Sequence, residues 1–281
     1  MSSGNAEQIE YWSGSGGESW AERAPRMERE LAGFGELAIR ALAPADGWTV
    51  LDVGCGTGAT TIELAQRVAP HGRVVGVDLS GTLLGTARKA AASRGAANVT
   101  FVQADAQDLP ADHEFDGLYS RFGVMFFADP AAAFARLRGC VRPGGALAFA
   151  CWQGKAANPW FTAAAAAAAG LAGVTGAPAG PGAPGPFALA DAAQIRQILA
   201  AAGWSNVRVS AEHDELVLDD TAIAERADFA VRRGPAAQVL AGEPQAARQA
   251  AAQRVTDAFL AFSRDGQVRV PRAVWIVSAR G

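Results

Sequence analysis

The stretch Val50-Leu51-Asp52-Val53-Gly54-Cys55-Gly56-Thr57-Gly58-Ala59 decides the fold. An apolar, partly β-branched run ends in three glycines at alternate positions, and a helix is expected to start near Thr60. Glycine lets the backbone turn sharply and lets a ligand approach where a Cβ would collide, while N–H groups at a helix start favour an anionic ligand group. The motif therefore reads as a strand, a loop and a helix with a small molecule lying on the loop. Gly54, Gly56 and Ala59 also satisfy the dinucleotide fingerprint G-x-G-x-x-A, with Asp78 about 20 positions further on, so the glycines alone leave nicotinamide cofactors open.

Outward from the loop, short β-branched runs alternate with amphipathic stretches: WTVLDVG, TIELAQRVA, RVVGVDL, LLGTARKAAASRG and NVTFVQAD. That alternation is the pattern of βαβ units and a parallel sheet. FDGLYS follows as a fourth strand, AAAFARLRGC as a helix, and GALAFACW as a fifth strand entered through the turn Arg142-Pro143-Gly144-Gly145. WSNVRVSAEHDELVL reads as a sixth strand and QVRVPRAVWIVSA as the last, with Pro271 at its start or edge. DAAQIRQILAAAG reads as a helix with Asp191 as N-cap and Gly203 as C′. Residues 1–45 read as a helical N-terminal cap of two helices divided by a turn at Ser13–Gly17 and closed by Pro44. Residues 46–281 then form the main domain. It carries two insertions, 153–186 and 219–265, expected to roof a site at the strand ends.

Three acids mark successive strand ends: Asp52 before the first glycine, Asp78 in VVGVDLS and Asp105 before Ala106 in FVQADAQDLP. Carboxylates so placed suit a ligand with several hydroxyl and amino groups. With these residues the chain resembles the class I S-adenosylmethionine-dependent methyltransferases, within the small-molecule group akin to the quinone-biosynthesis C-methyltransferases. LDVGCGTG is among the most specific signatures of that family. The resemblance implies an α/β, Rossmann-like, seven-stranded doubly wound sheet. It also implies S-adenosyl-L-methionine as cofactor, with S-adenosyl-L-homocysteine as product. The cofactor-binding set is then Asp52, Gly54, Cys55, Gly56, Gly58, Asp78, Leu79, Asp105, Ala106 and Ser120. Gly54–Gly58 lie against the methionine part, Asp78 takes the ribose hydroxyls, Asp105 and Ala106 meet the adenine, and Ser120-Arg121-Phe122-Gly123 lines the transfer site. The Asn/Asp-Pro-Pro-aromatic motif of nucleobase amino-methyltransferases is replaced here by Tyr119-Ser120-Arg121-Phe122-Gly123, and no magnesium-binding acids follow Ser120 before Asp129.

The acceptor is expected to be a small, apolar or aromatic molecule, contacted by Arg121, Phe122, Met125 and Trp152. Arg121 has a second reading as partner of a core carboxylate, and the aromatic residues as ordinary core. Trp12 and Trp20 read either as a lid over the sulfonium or as a hydrophobic staple. His71 and His113 precede strands and fall at the wrong end of a parallel sheet. His213 falls late in the sixth strand and is the candidate general base, with a surface histidine as the plainer alternative.

Composition bounds the rest. The chain has 281 residues, 50% of them apolar and 19% charged, enough for a sizeable core. Lys plus Arg number 25 against 28 Asp plus Glu, a net charge of −3 that lacks the basic excess nucleic acid binding requires. Cys55, Cys140 and Cys151 form no C-x-x-C pair, so no metal site is expected. The polar start MSSGNAEQIE and the short Ala163–Ala169 run give no membrane span, and a cytoplasmic location is the expectation. The oligomeric state is left open. Two other classes remain at this point: a nicotinamide-dependent oxidoreductase, which lacks a Y-x-x-x-K pair here, and a non-catalytic cofactor-binding module.

Overall fold

The computed structural model describes residues 5–161, 183–232, 240 and 243–281. They fall into two compact units, Met1–Trp152 with Gly182–Ala211 and Val274–Gly281, and Gln153–Pro181 with Glu212–Ala273. The second unit is therefore larger than the two insertions read from the sequence, because it also takes the far halves of the last two long strands.

In the first unit, β1 (Thr49–Val53), β2 (Arg73–Asp78), β3 (Val99–Gln103), β4 (Phe115–Arg121) and β5 (Val141–Trp152) are parallel. Two further long strands, β6 (Ser205–Leu218) and β8 (Gln267–Arg280), complete the order β3-β2-β1-β4-β5-β8-β6. The two-residue β7 (Ser263–Arg264) pairs with β8 off that path. All five residues of β1 are buried, as a strand flanked on both sides and covered on both faces must be. The chain runs from β1 through β2 to β3 on one side and resumes at β4 on the other, so the order reverses between β1 and β4. Ligands of open α/β sheets bind at the carboxyl ends of the strands at such a reversal. Here those ends are the glycine loop and Ser120–Gly123.

The helices form where the sequence placed them. α1 (Ala6–Ser13) and α2 (Ser15–Leu42) are divided at Gly14 alone, so the expected five-residue turn contracts to one residue. α2 runs on through Pro25 and ends at Ala43 in the left-handed region (φ 52°), before Pro44. It buries Ala24, Met27, Leu31, Phe34, Ala38, Ile39 and Leu42 at three- and four-residue spacing, and packs on β4 and β5. The C-terminal half of the segment read as a cap is thus a layer of the sheet domain. α3 (Ala59–Val68), α4 (Gly81–Ser93), α5 (Pro130–Cys140) and α6 (Ala192–Ala201) follow. Ser80, Asp129 and Asp191 cap the last three, and Gly203 past α6 takes φ 83°. In the second unit α7 (Asp220–Arg232) and α8 (Gln245–Leu260) pack Ile223, Ala227, Val255 and Phe259 against Leu216, Leu218, Val268 and Val270.

Two expectations are corrected. Arg142-Pro143-Gly144-Gly145 is not a turn that precedes β5: the strand begins at Val141, opposite Phe115, and pairing resumes at Ala146, opposite Gly117. The four residues are an excursion inside the strand, with Gly144 at φ 78°. Pro271 lies well inside β8 and not at its edge. It is accommodated because the β5–β8 ladder begins only at Val274, opposite Trp152, so a missing N–H at position 271 costs that ladder nothing.

A close backbone approach joins the two functional loops. A methyl on Gly123 would lie 2.6 Å from the Val53 carbonyl oxygen and 2.9 Å from the Gly54 Cα. Gly123→Ala is expected to destabilise the fold by about 1–3 kcal/mol through overpacking. Gly33→Ala, a helical site with nothing within 4 Å, is the control and should be neutral or stabilising. Urea unfolding of the two variants against the parent checks this.

Candidate functional site

The three glycines have different duties. Gly54 (φ 68°) and Gly58 (φ 81°) are fixed by packing: added methyls would lie 2.8 Å from Gly123 Cα and 2.9 Å from both Ala87 Cβ and Phe101 Cζ. A methyl on Gly56 (φ 56°) would meet only Trp20 Nε1, at 3.8 Å. Gly56 is thus the point where the loop faces open space, with an indole opposite. Within the loop, the Gly54 and Cys55 N–H groups donate to Val77 O, Gly58 N–H to Cys55 O and Gly56 N–H to Asp78. These four donors are engaged by protein acceptors. An anionic group would therefore meet the N–H groups of the first turn of α3 and not these four.

Asp52 is fully buried, and its Oδ2 accepts the hydroxyls of Thr61 (2.7 Å) and Thr60 (3.2 Å) in the first turn of α3. It anchors the start of α3 through these two side chains. Its other oxygen is buried without a partner among the described residues. Desolvation pushes its pKa from 3.8 up to about 6, against the lowering effect of the two threonines and Arg121.

At the end of β2, Asp78 accepts from Gly56 N–H and Ser80 N–H, each at 2.8 Å. A carboxylate has about four lone-pair sites, so capacity for two more donors remains. Burial raises its pKa, and the backbone N–H groups of Ser80, Gly56 and Leu79 oppose that. Next to it, Leu79 O accepts from Ser13 Oγ and Gln103 Nε2. At the end of β3, Asp105 caps the turn Ala106–Asp108 through Gln107 N–H and also accepts from the Asn5 amide. Ala106 is buried. The acids of the three strand ends are therefore adjacent, with the Ala104 N–H donating to Asp78 O. Cys55 turns its side chain into the cluster of Ile62, Leu84, Ala87 and Phe101, leaving only its backbone to the loop. Burial raises its thiol pKa further, so the sulfur stays protonated.

Ser120 Oγ donates to Val53 O (2.8 Å) and accepts from Gly123 N–H (3.2 Å), so the hydroxyl binds β4's end to β1's end. Arg121 is ion-paired with Glu28 of α2, the structural one of its two readings. Burial acts to lower its pKa, but Glu28, Tyr119 and Asp52 raise it overall, and the guanidinium stays charged. Phe122 takes φ 62° and stacks on Trp152 with centroids 4.3 Å apart, while Phe34 meets both rings edge-on. Met125 is buried and its carbonyl accepts from Gly185 N–H. Phe122, Met125 and Trp152 are thus buried and Arg121 is half-buried, all in the first unit.

Asn5, Ser13, Gly17, Glu28, Thr60 and Thr61 were missed from the sequence. A methyl on Gly17 would lie 2.5 Å from Ser80 Oγ, so the S-G-S-G-G run was a signal of close approach between the N-terminal segment and the β2 end. Glu28 Oε1 also accepts the Thr57 hydroxyl at 2.8 Å. Trp12 packs edge-on to Trp20 and Phe126. His213 is an exposed residue of β6 in the second unit, beside Asp214, whose carboxylate holds Arg272. Most of the expected roof 153–186 lies outside the described residues. Among the described residues no three His, Cys, Asp or Glu side chains gather as a metal-ligand set, and no helix is long and apolar enough to cross a membrane.

The fold and this loop define a Rossmann-like α/β protein of the kind that binds its ligand at a β1–β4 reversal. Residues 50–145 match the family model described as "Methyltransferase domain". The chain is 36% identical over 118 residues to an aklanonic acid methyltransferase of Streptomyces sp. (strain C5), 41% of this chain and 53% of that protein. It is 34% identical over 108 residues to the demethylmenaquinone methyltransferase of Staphylococcus carnosus, 38% of this chain and 44% of that protein. The chain spans about half the length of the curated relatives it matches. A putative methyltransferase of Bacillus halodurans has the same fold (TM-score 0.55, 18% identity, 88% of this chain and 97% of that one). So does the [4+2]-cyclase SpnF (TM-score 0.52, 20% identity, 88% and 79%).

The buried Asp52 gives a pH test. Its folded pKa near 6 stands above the ordinary 3.8, so the proton it retains stabilises the fold fully below pH 3.8, and this contribution is lost as pH rises through about 6. The stability of Asp52→Asn relative to the parent is therefore expected to rise across that interval and to be flat on either side. Thermal melting of both proteins from pH 3.5 to 7.5 measures it; a difference flat throughout refutes the buried titration.

Proposed function

We propose that the protein is an S-adenosyl-L-methionine-dependent methyltransferase acting on a small, apolar or aromatic acceptor. The observation that carries the reading is the division of labour in the glycine loop: Gly54 and Gly58 are consumed by packing, and Gly56 alone of the three faces open space, opposite Trp20 and beside the half-buried Asp78. The residues fit the cofactor. Gly56 allows close approach of its methionine part, Asp78 retains lone pairs for two ribose hydroxyls in a charge-assisted contact, and Asp105 with Ala106 meets the base. When bound, S-adenosyl-L-methionine supplies a methyl group made electrophilic by the sulfonium. The chain's own residues supply alignment and exclusion of water. Ser120 fixes the spacing of the two loops, and Glu28 holds Thr57 and Arg121 in register.

Support for the acceptor class comes from the buried Phe122–Trp152 stack with Phe34 and Met125, which offers apolar contact and, with Arg121 paired, little free charge. The relatives named for aklanonic acid and demethylmenaquinone point the same way. His213 remains the candidate base for a hydroxyl or amine acceptor.

Calorimetric titration with S-adenosyl-L-homocysteine is expected to show binding, and NAD none. Asp78→Ala should weaken binding by about 1.5–3 kcal/mol, the scale of hydrogen bonds to a charged group. Gly56→Ala should fold and lose affinity, whereas Gly58→Ala should lose the fold. Tight NAD binding without any response to S-adenosyl-L-homocysteine would overturn the assignment. Once an acceptor is found, His213→Ala is expected to lower turnover by about 10²–10⁴ if the base role holds. Unchanged turnover would assign transfer to alignment alone.

A further inference from the structure

α1 carries Asn5 at its N-cap, Gln8 one turn on and Trp12 one turn further, positions that share a helix face. Both ends of that face meet the ligand-binding edge of the sheet: Asn5 Nδ2 donates to Asp105, and the Trp12 ring lies 5.0 Å from that of Phe126. Asn5 is 3% exposed, and its Oδ1 is buried with no partner among the described residues. The same is true of Gln8 Oε1. The orientation of the Asn5 amide is fixed, since a carboxylate accepts only and the NH₂ end must face Asp105. The side chain is not spent on its helix either, because it makes no capping hydrogen bond. Two buried carbonyl oxygens on one face, without donors, cost free energy unless something supplies those donors.

We infer that Asn5 reads the base of the bound nucleoside and selects an amino over a keto group at its six position. The inference rests on the function proposed above. An exocyclic amine carries two N–H donors; Asp105 accepts one and Asn5 Oδ1 the other. A six-keto base would set its own oxygen against the Asn5 oxygen and the Asp105 carboxylate. α1 is on this view a wall of the cofactor site and not only a cover for it.

The test is calorimetric titration of S-adenosyl-L-homocysteine and of its deaminated analogue, S-inosyl-L-homocysteine, into the parent protein and Asn5→Ala. The parent is expected to prefer the adenosyl ligand by about tenfold or more. Asn5→Ala should weaken the adenosyl ligand about tenfold while leaving the inosyl ligand within about twofold, so that the preference collapses. Equal weakening of both ligands would mean that Asn5 only holds α1 in place, and unchanged affinities would mean that it touches no ligand; either result overturns the inference. Binding of the inosyl ligand by the variant also shows that it is folded. If the parent binds neither ligand, the cofactor assignment itself fails, a result separate from the other two.

Discussion

The back-to-back approach of Gly54 and Gly123 is the constraint on which the site depends. At the reversal between β1 and β4, two loops must leave neighbouring strands in the same direction, and a side chain on either would force them apart. Ser120 sets the remaining distance with one hydroxyl, which donates to the last carbonyl of β1 and accepts from Gly123. The next turn then places Phe122 in the left-handed region, which costs a bulky residue about 1–2 kcal/mol. Its stack on Trp152 and its N–H bond to Ala150 O offset that strain. A glycine pair, one serine and one strained phenylalanine thus fix the edge of the ligand cleft and the aromatic cluster next to it.

α2 is tied into the same arrangement through Glu28. One carboxylate accepts the Thr57 hydroxyl from the glycine loop and pairs with Arg121 from the end of β4. The pairing puts two charges out of water, which is costly unless every lone pair is used. Here the threonine takes the oxygen that the guanidinium does not. The consequence is that the N-terminal segment cannot shift without disturbing both loops. This gives a physical reason for residues so distant in sequence from the glycines to bear on the ligand.

The sheet was legible because its signals are local and redundant. β-branched runs, glycines and capping residues such as Asp129 and Asp191 each mark an element by themselves. The acids Asp52, Asp78 and Asp105 were legible for the same reason, since each lies at or beside the end of a strand. What stayed hidden depends on contacts across the chain: Asn5 reaches Asp105 across 100 residues and Glu28 reaches Arg121 across 93. No periodicity encodes such pairs. The misjudged Arg142–Gly145 excursion and Pro271 have another origin. Pro and Gly speak for a turn or an edge, but the ladders on either side decide whether a strand tolerates them.

The same fold in a protein named as a [4+2]-cyclase shows why the sheet cannot by itself name the chemistry. The glycine loop, the paired acids and the β1–β4 reversal define where a ligand lies, not what happens to it. The reaction must be decided by what stands opposite the loop. In this chain those groups are Trp20 above Gly56, the Asn5–Asp105 pair, and the Phe34–Phe122–Trp152 cluster. Among these described residues only Asp105 has an acidic or basic side chain. A site with so little proton-transfer capacity of its own favours a reaction in which the ligand brings the reactivity and the protein brings position, which is the demand that methyl transfer from a sulfonium makes.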